Sequence, residues 1–246
     1  MPRLMTQNDM TTGNIPGLSG YQFSAVRPEN LGESEYILVT VAADVSGSVG
    51  PYRSAIIAML KATVEGCRIG PKAKNLLVRV ITFSHEIEEI HGFKPVAEIN
   101  DSDYDAIVIG GGTALYDACS SAIGATIEFA KTLTAQRFDV VGKGYFITDG
   151  LENGNSKFPV SEVKDKIDEA ITGEVMGSFH SVLIGINTAH CGSQLRAFQT
   201  AAGITEYIDE MDVTSKGLAR LGGMISRSAS SSSTSLMGGA KPAVTF

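Results

Sequence analysis

Val39-Thr40-Val41-Ala42-Ala43-Asp44-Val45-Ser46-Gly47-Ser48 runs small, apolar, partly β-branched residues into an acid, and then into two serines one residue apart. Residues 37–43 read as a buried parallel strand. Asp44 falls at that strand's carboxyl end. Gly47 and Gly50 allow a turn, and Pro51 suits the first turn of a helix. Open α/β sheets place their ligand sites at such carboxyl ends. The side chains gathered here carry oxygen only, with no His or Cys among them. That chemistry suits a hard divalent cation, Mg²⁺ above all.

Taken alone, this stretch also reads as a strand end followed by a capped helix. Two further stretches decide between the readings. Ile107-Val108-Ile109-Gly110-Gly111-Gly112-Thr113-Ala114-Leu115-Tyr116-Asp117 sets a threonine after three glycines, at the head of an alanine-rich helix. Val140-Val141-Gly142-Lys143-Gly144-Tyr145-Phe146-Ile147-Thr148-Asp149-Gly150 ends a second apolar strand in Thr-Asp-Gly. In order, spacing and strand-end placement the three together resemble the complete metal-ion-dependent adhesion site of von Willebrand factor type A domains, shared with integrin I domains. The resemblance covers about residues 35 to 228.

What the resemblance implies is specific. The expected fold is a three-layer, doubly wound α/β domain. Its sheet is mainly parallel and six-stranded, with one short antiparallel edge strand and helices on both faces. The implied metal residues are Asp44, Ser46, Ser48, Thr113 and Asp149. Ser46 and Ser48 ligate directly, Thr113 does so in the ligand-bound state, and Asp44 and Asp149 act mainly through bound waters. The ion is Mg²⁺ or Mn²⁺, and its open position takes an Asp or Glu from a protein partner. Gly111 and Gly112 permit a close backbone approach. Asp117, in the first turn of a helix, is read as stabilised by the helix dipole and outside the ion's shell.

Composition narrows the rest. The chain of 246 residues is 43% hydrophobic and 19% charged, as soluble globular proteins are. A net charge of −7 argues against a nucleic-acid partner. No apolar run approaches the ~18–20 residues of a membrane span, and no signal-peptide core opens the chain. Cys67, Cys119 and Cys191 lack metal-ligand spacing and read as buried free thiols of a reducing compartment. The expected location is cytoplasmic. His85, His91, His180 and His190 form no motif.

Strands are expected over 36–43, 76–84, 88–93, 140–148, 178–186 and 206–209. Helices are expected over 52–65, 114–133, 160–172, 194–202 and 214–226, the first closed by Gly66 and Gly70-Pro71. The alternation predicts one domain over 34–228. Residues 1–33 are a turn-rich arm. Ile15, Leu18, Tyr21, Phe23 and Val26 suit it to docking, as an added edge strand or otherwise. Residues 229–246 form a Ser-rich tail of flexible-linker composition.

Enzymatic readings fare poorly. A haloacid-dehalogenase-type phosphatase needs a second aspartate where Ser46 stands. No Walker Lys follows the glycines, and there is no Gly-x-Ser-x-Gly elbow. A metal hydrolase needs a poised base, for which His85 is the lone candidate. A structural subunit holding a structural metal is the other alternative. By family analogy, an intracellular bacterial or phage module of this kind works beside an AAA+ ATPase or a kinase–phosphatase pair, in signalling, stress response or defence.

Overall fold

The apolar stretch around Val39 forms the central strand β3 (Glu35–Asp44), as its composition demands. Side chains on a strand alternate between faces. Leu38 and Ala42 enter one core, and Ile37, Val39, Val41 and Ala43 enter the other. Helices must therefore cover both faces. A computed structural model describes residues 9–231, and among these the layers are α/β/α.

The helices are α1 (Arg53–Ile69), α2 (Leu115–Ala135), α3 (Val160–Thr172), α4 (Gly192–Ala202) and α5 (Ser215–Ser230). α2, α3 and α4 pack on one face, α1 and α5 on the other. The remaining strands are β1 (Met10–Asn14), β2 (Gln22–Val26), β4 (Leu76–Phe83), β5 (Ile87–Pro95), β6 (Asp139–Thr148), β7 (Phe179–Ile186) and β8 (Glu206–Glu210). They form one sheet in the order β1-β2-β5-β4-β3-β6-β7-β8. β4, β3, β6, β7 and β8 run parallel, so Asp44 and Thr148 end neighbouring strands at the same rim.

The sheet has eight strands, not six, and the antiparallel β5 is not at its edge. Residues from the expected arm supply the two extra strands. β1 and β2 pair antiparallel, and β2 meets β5 through Ala25 and Phe93. Ile15, Leu18, Phe23 and Val26 are buried there, and Tyr21 packs against the same core. β1 is polar and largely exposed, so it is a strand by pairing and not by pattern. Residues 1–8 of the expected arm lie outside the described residues. At the other end α5 continues past 228, with Ala229 buried, and residues 232–246 of the expected tail lie outside the described residues.

Gly66 does not close α1, which runs on to Ile69. The glycine serves packing: a Cβ there would lie 2.3 Å from Ser226 Oγ of α5. The reciprocal contact is Gly222 of α5, where a Cβ would sit 2.6 Å from the Met59 carbonyl oxygen. Two helices approach this closely only where side chains are missing.

The last turn of α5 is pinned to β6. Lys143 Nζ donates to the Ser228 carbonyl, and Tyr145 Oη donates to Ser228 Oγ at 2.9 Å. Burial pulls the Lys143 ammonium down to about 8 from its ordinary 10.5, against the opposing charge of Glu206. At pH 7 folded and unfolded chains both carry this charge, and the folded state bears the whole cost of burying it. Between pH 8 and 10.5 the unfolded chain holds more protons, so that cost fades as pH rises. Lys143→Met should therefore raise stability by about 2 kcal/mol at pH 7 and by much less near pH 10. Urea unfolding of both proteins at the two pH values measures the difference.

Candidate metal centre

The carboxyl ends of β3 and β6 bring Asp44 and Asp149 to one rim, and the turn after β3 brings Ser46 and Ser48 to the same point. Asp44 Oδ1 accepts the Ser46 N–H at 2.7 Å, and its Oδ2 accepts the Thr148 hydroxyl at 2.6 Å. Ser48 Oγ donates to Asp149 Oδ1 at 2.7 Å and lies 3.1 Å from Ser46 Oγ. Asp44, Ser46 and Asp149 are all at least 95% buried. In the sequence Thr148 is only part of the Thr-Asp-Gly strand end. Its hydroxyl bonds both to Asp44 and, at 2.9 Å, to the Gly150 carbonyl, and so ties the two strand ends together.

Negative charge at this rim is poorly compensated. Burial pushes Asp44 up to about 6, despite hydrogen bonds from Ser46 and Thr148, and the Asp149 charge adds to the rise. Burial also raises Asp149, opposed by the Ser48 hydroxyl and by His190. Among the described residues neither carboxylate forms an ion pair with a basic side chain. Nor, among the described residues, do three or more His, Cys, Asp or Glu gather so as to hold a metal ion, so any ion here depends on the serine and threonine hydroxyls.

The glycine loop closes over this rim. Gly47 N–H donates to the Gly111 carbonyl at 3.1 Å, and Gly110 N–H to the Val45 carbonyl at 2.9 Å. Gly111 has φ +82°, which an L side chain resists, and a Cβ there would also strike His85 Nδ1 at 2.2 Å. Arg53 in the first turn of α1 steadies the approach to the loop by donating to the Ile107 and Asp105 carbonyls. Thr113 is buried beside these contacts. Its hydroxyl takes no part in the hydrogen bonds that join Asp44, Ser46, Ser48 and Asp149. Its main chain is held instead by Asn153, whose Oδ1 accepts the Thr113 N–H at 2.9 Å.

Asp117 has a role that the dipole argument missed. It is 1% exposed and accepts the Lys157 N–H at 2.9 Å, the Phe158 N–H at 3.0 Å and the Tyr21 hydroxyl at 2.6 Å. Glu152 winds the intervening loop by accepting from Gly154, Asn155 and Ser156 N–H. Ser156 Oγ in turn accepts the free N–H groups of Tyr116 and Asp117 at the head of α2. The acids at 117 and 152 thus fix residues 152–158 against α2. Polar composition alone marks this segment only as a loop.

The donor set fits a hard cation. In an octahedral shell with metal–oxygen distances of about 2.0–2.1 Å, neighbouring oxygens stand about 3 Å apart. The 3.1 Å separation of Ser46 Oγ and Ser48 Oγ is of that size. With both Asp44 oxygens engaged in hydrogen bonds, an orienting role suits that residue.

No protein-family model matches the chain, and no curated protein matches it. Solved structures do. A von Willebrand factor type A protein from Catenulispora acidiphila superposes with a TM-score of 0.56 at 15% identity, over 90% of this chain and 45% of that one. The pilus adhesin SpaC from Lactobacillus rhamnosus GG gives 0.57 at 11% identity, over 85% of this chain and 32% of that one. Proximal thread matrix protein 1 from the mussel byssus, with a zinc-occupied adhesion-site motif, gives 0.54 at 18% identity, over 80% and 46%. This chain thus spans less than half the length of each of these three. At such identities the likeness shows the fold, and the fold is that of a von Willebrand factor type A domain.

Proposed function

We propose that the chain is a metal-dependent protein-binding module. The observation that carries this reading is the Asp44–Ser46–Ser48–Asp149 network, two buried carboxylates joined through two hydroxyls and, among the described residues, in no ion pair with a basic side chain. A serine that donates its proton to a carboxylate turns an oxygen lone pair outward. Ser46 and Ser48 would hold the ion directly, Thr113 would join when a partner is bound, and Asp44 and Asp149 would act through water. The zinc-occupied motif of the mussel protein supports a divalent ion at this place in the fold. We assign Mg²⁺ or Mn²⁺ here from the all-oxygen donor set.

When bound, such an ion supplies an electrophilic centre. Its hydroxyl ligands leave charge for an Asp or Glu of a partner protein to satisfy. Ser46-Gly47-Ser48-Val49, the glycine loop and residues 149–158 surround that position, on the rim of a rigid sheet. We read the role as binding and not catalysis. Three buried free cysteines favour a reducing, cytoplasmic setting. Among the described residues no helix is long and apolar enough to cross a membrane. A partner AAA+ ATPase or kinase–phosphatase pair, in signalling, stress response or defence, belongs to this proposal by analogy alone.

The test is partner capture with wild type and Asp44→Ala, in Mg²⁺ and in EDTA. Capture lost in EDTA, restored by Mg²⁺ and absent from Asp44→Ala is the expected result. Capture indifferent to both would move recognition off the metal face.

A further inference from the structure

We infer that Asn153 is a positioning residue for the metal centre: it decides where Thr113 stands, and through Thr113 how tightly the ion is held. The inference rests on the metal reading above. Asn153 Oδ1 accepts the Thr113 N–H at 2.9 Å, and the Asn153 N–H approaches the Thr113 carbonyl at 3.4 Å. One residue is thus clamped on both sides of its peptide unit by another forty positions on. Asn155 Nδ2 donates to the same Asn153 oxygen and fixes its rotamer.

A separate observation shows that the two loops are built to touch. A Cβ on Gly112 would lie 2.4 Å from Asn155 Nδ2 and 3.0 Å from Asn153 Oδ1. The third glycine of Gly110-Gly111-Gly112 is the space into which residues 153–155 press. Their loop is itself held in place, wound on Glu152 and anchored to α2 through Ser156 and Asp117. Thr113 therefore sits between two fixed bodies, the Gly47–Gly111 contact on one side and Asn153 on the other. Among the described residues its hydroxyl has no such fixing bond of its own. The hydroxyl's position toward Ser46 and Ser48 follows from the main chain, and Asn153 sets the main chain. Groups that orient metal ligands in this way are worth about 10–100-fold in metal affinity.

Two measurements on the full chain test this. Amide exchange of the metal-free protein should show Thr113 N–H protected in wild type and in Asn153→Asp, which keeps an acceptor, and unprotected in Asn153→Ala. Mn²⁺ titration followed by electron paramagnetic resonance, in acetate as a stand-in for the partner carboxylate that brings Thr113 into the shell, should show Asn153→Ala binding about tenfold more weakly than wild type. In a Thr113→Ala background, with no hydroxyl left to place, the same substitution should cost less than about twofold, since effects that act through one group do not add. Gly112→Ala, which keeps Asn153 but pushes its loop away, should reproduce Asn153→Ala. An unprotected Thr113 amide in wild type overturns the positioning role and leaves the metal reading intact. So does an Asn153→Ala loss that is the same in both backgrounds. A wild type that takes up no Mn²⁺ overturns the metal reading, and the positioning role with it.

Discussion

With Mn²⁺ at about one hundred times its dissociation constant, wild type should unfold roughly 5–10 °C higher than in EDTA, and Asp149→Ala should not respond. An ion that binds only the folded form stabilises it by about 2.7 kcal/mol at that excess. One kcal/mol moves the melting temperature by roughly 2–4 °C for a domain of this size. The ion's gain should be large here because the metal-free rim is unfavourable. Both carboxylates are raised by burial, Asp44 to about 6, and Asp149 adds to the rise at Asp44. Removing Asp149 takes away half the negative charge and the acceptor of the Ser48 hydroxyl. In EDTA the same variant should lose little stability, because it also relieves that repulsion. A mutant that gains as much as wild type would place the ion elsewhere. The acidic turn at Asp101–Tyr104 is a poor rival. Asp101 pairs with Arg68 at 2.9 Å, Asp103 with Lys94 at 3.2 Å, and the following Asp105 with Lys61 at 2.7 Å.

The sequence announces most of this architecture because its central parallel strands are buried on both faces and so are mainly apolar. β4 and β6 show it plainly, and the amphipathic α3 begins and ends where its pattern does. Asp44, Ser46, Ser48 and Asp149 could be singled out because each stands at a strand end or within four residues of one, where chain direction fixes position. What escaped depends on contacts between distant segments. Gly66 looks like a helix terminator in one dimension, and only the approach of α5 explains why the helix needs it. β1 carries no alternation and becomes a strand by pairing with β2. Asn153 and Asp117 bond to partners 40 residues away, or 96 residues in the case of Tyr21, and no local spacing announces those bonds.

An ion pair between buried Arg79 and partly buried Glu89 helps to attach β1 and β2, and Glu89→Ala, which strands the buried charge, should cost about 3–5 kcal/mol. Arg79 is 1% exposed in β4, and its Nε donates to Glu89 Oε2 of β5 at 2.6 Å. Burial pulls the guanidinium's pKa down and the Glu89 charge opposes that pull. Among the described residues Arg79 Nη1 finds no acceptor, so the pair has no second partner in reserve. The other face of Glu89 reaches the added strands: its Oε1 accepts the Ser24 N–H at 2.9 Å and the Ser24 hydroxyl at 2.5 Å. These bonds matter because β2 is in ladder register with β5 at only Ala25 and Phe93. Glu89→Ala leaves a guanidinium in an apolar core and releases the Ser24 N–H at the same time. A double variant, Arg79→Met with Glu89→Ala, should recover much of the loss, because an apolar pair needs no counter-charge. Glu89→Gln should fall between, since it still accepts from Ser24 without neutralising Arg79. Urea unfolding measures all three, and amide exchange at Ser24 reports whether β2 loosens before the rest of the sheet. A Glu89→Ala loss below about 1 kcal/mol would mean that Arg79 reaches water on its own and that apolar packing of Phe23 and Val26 suffices to hold the added strands.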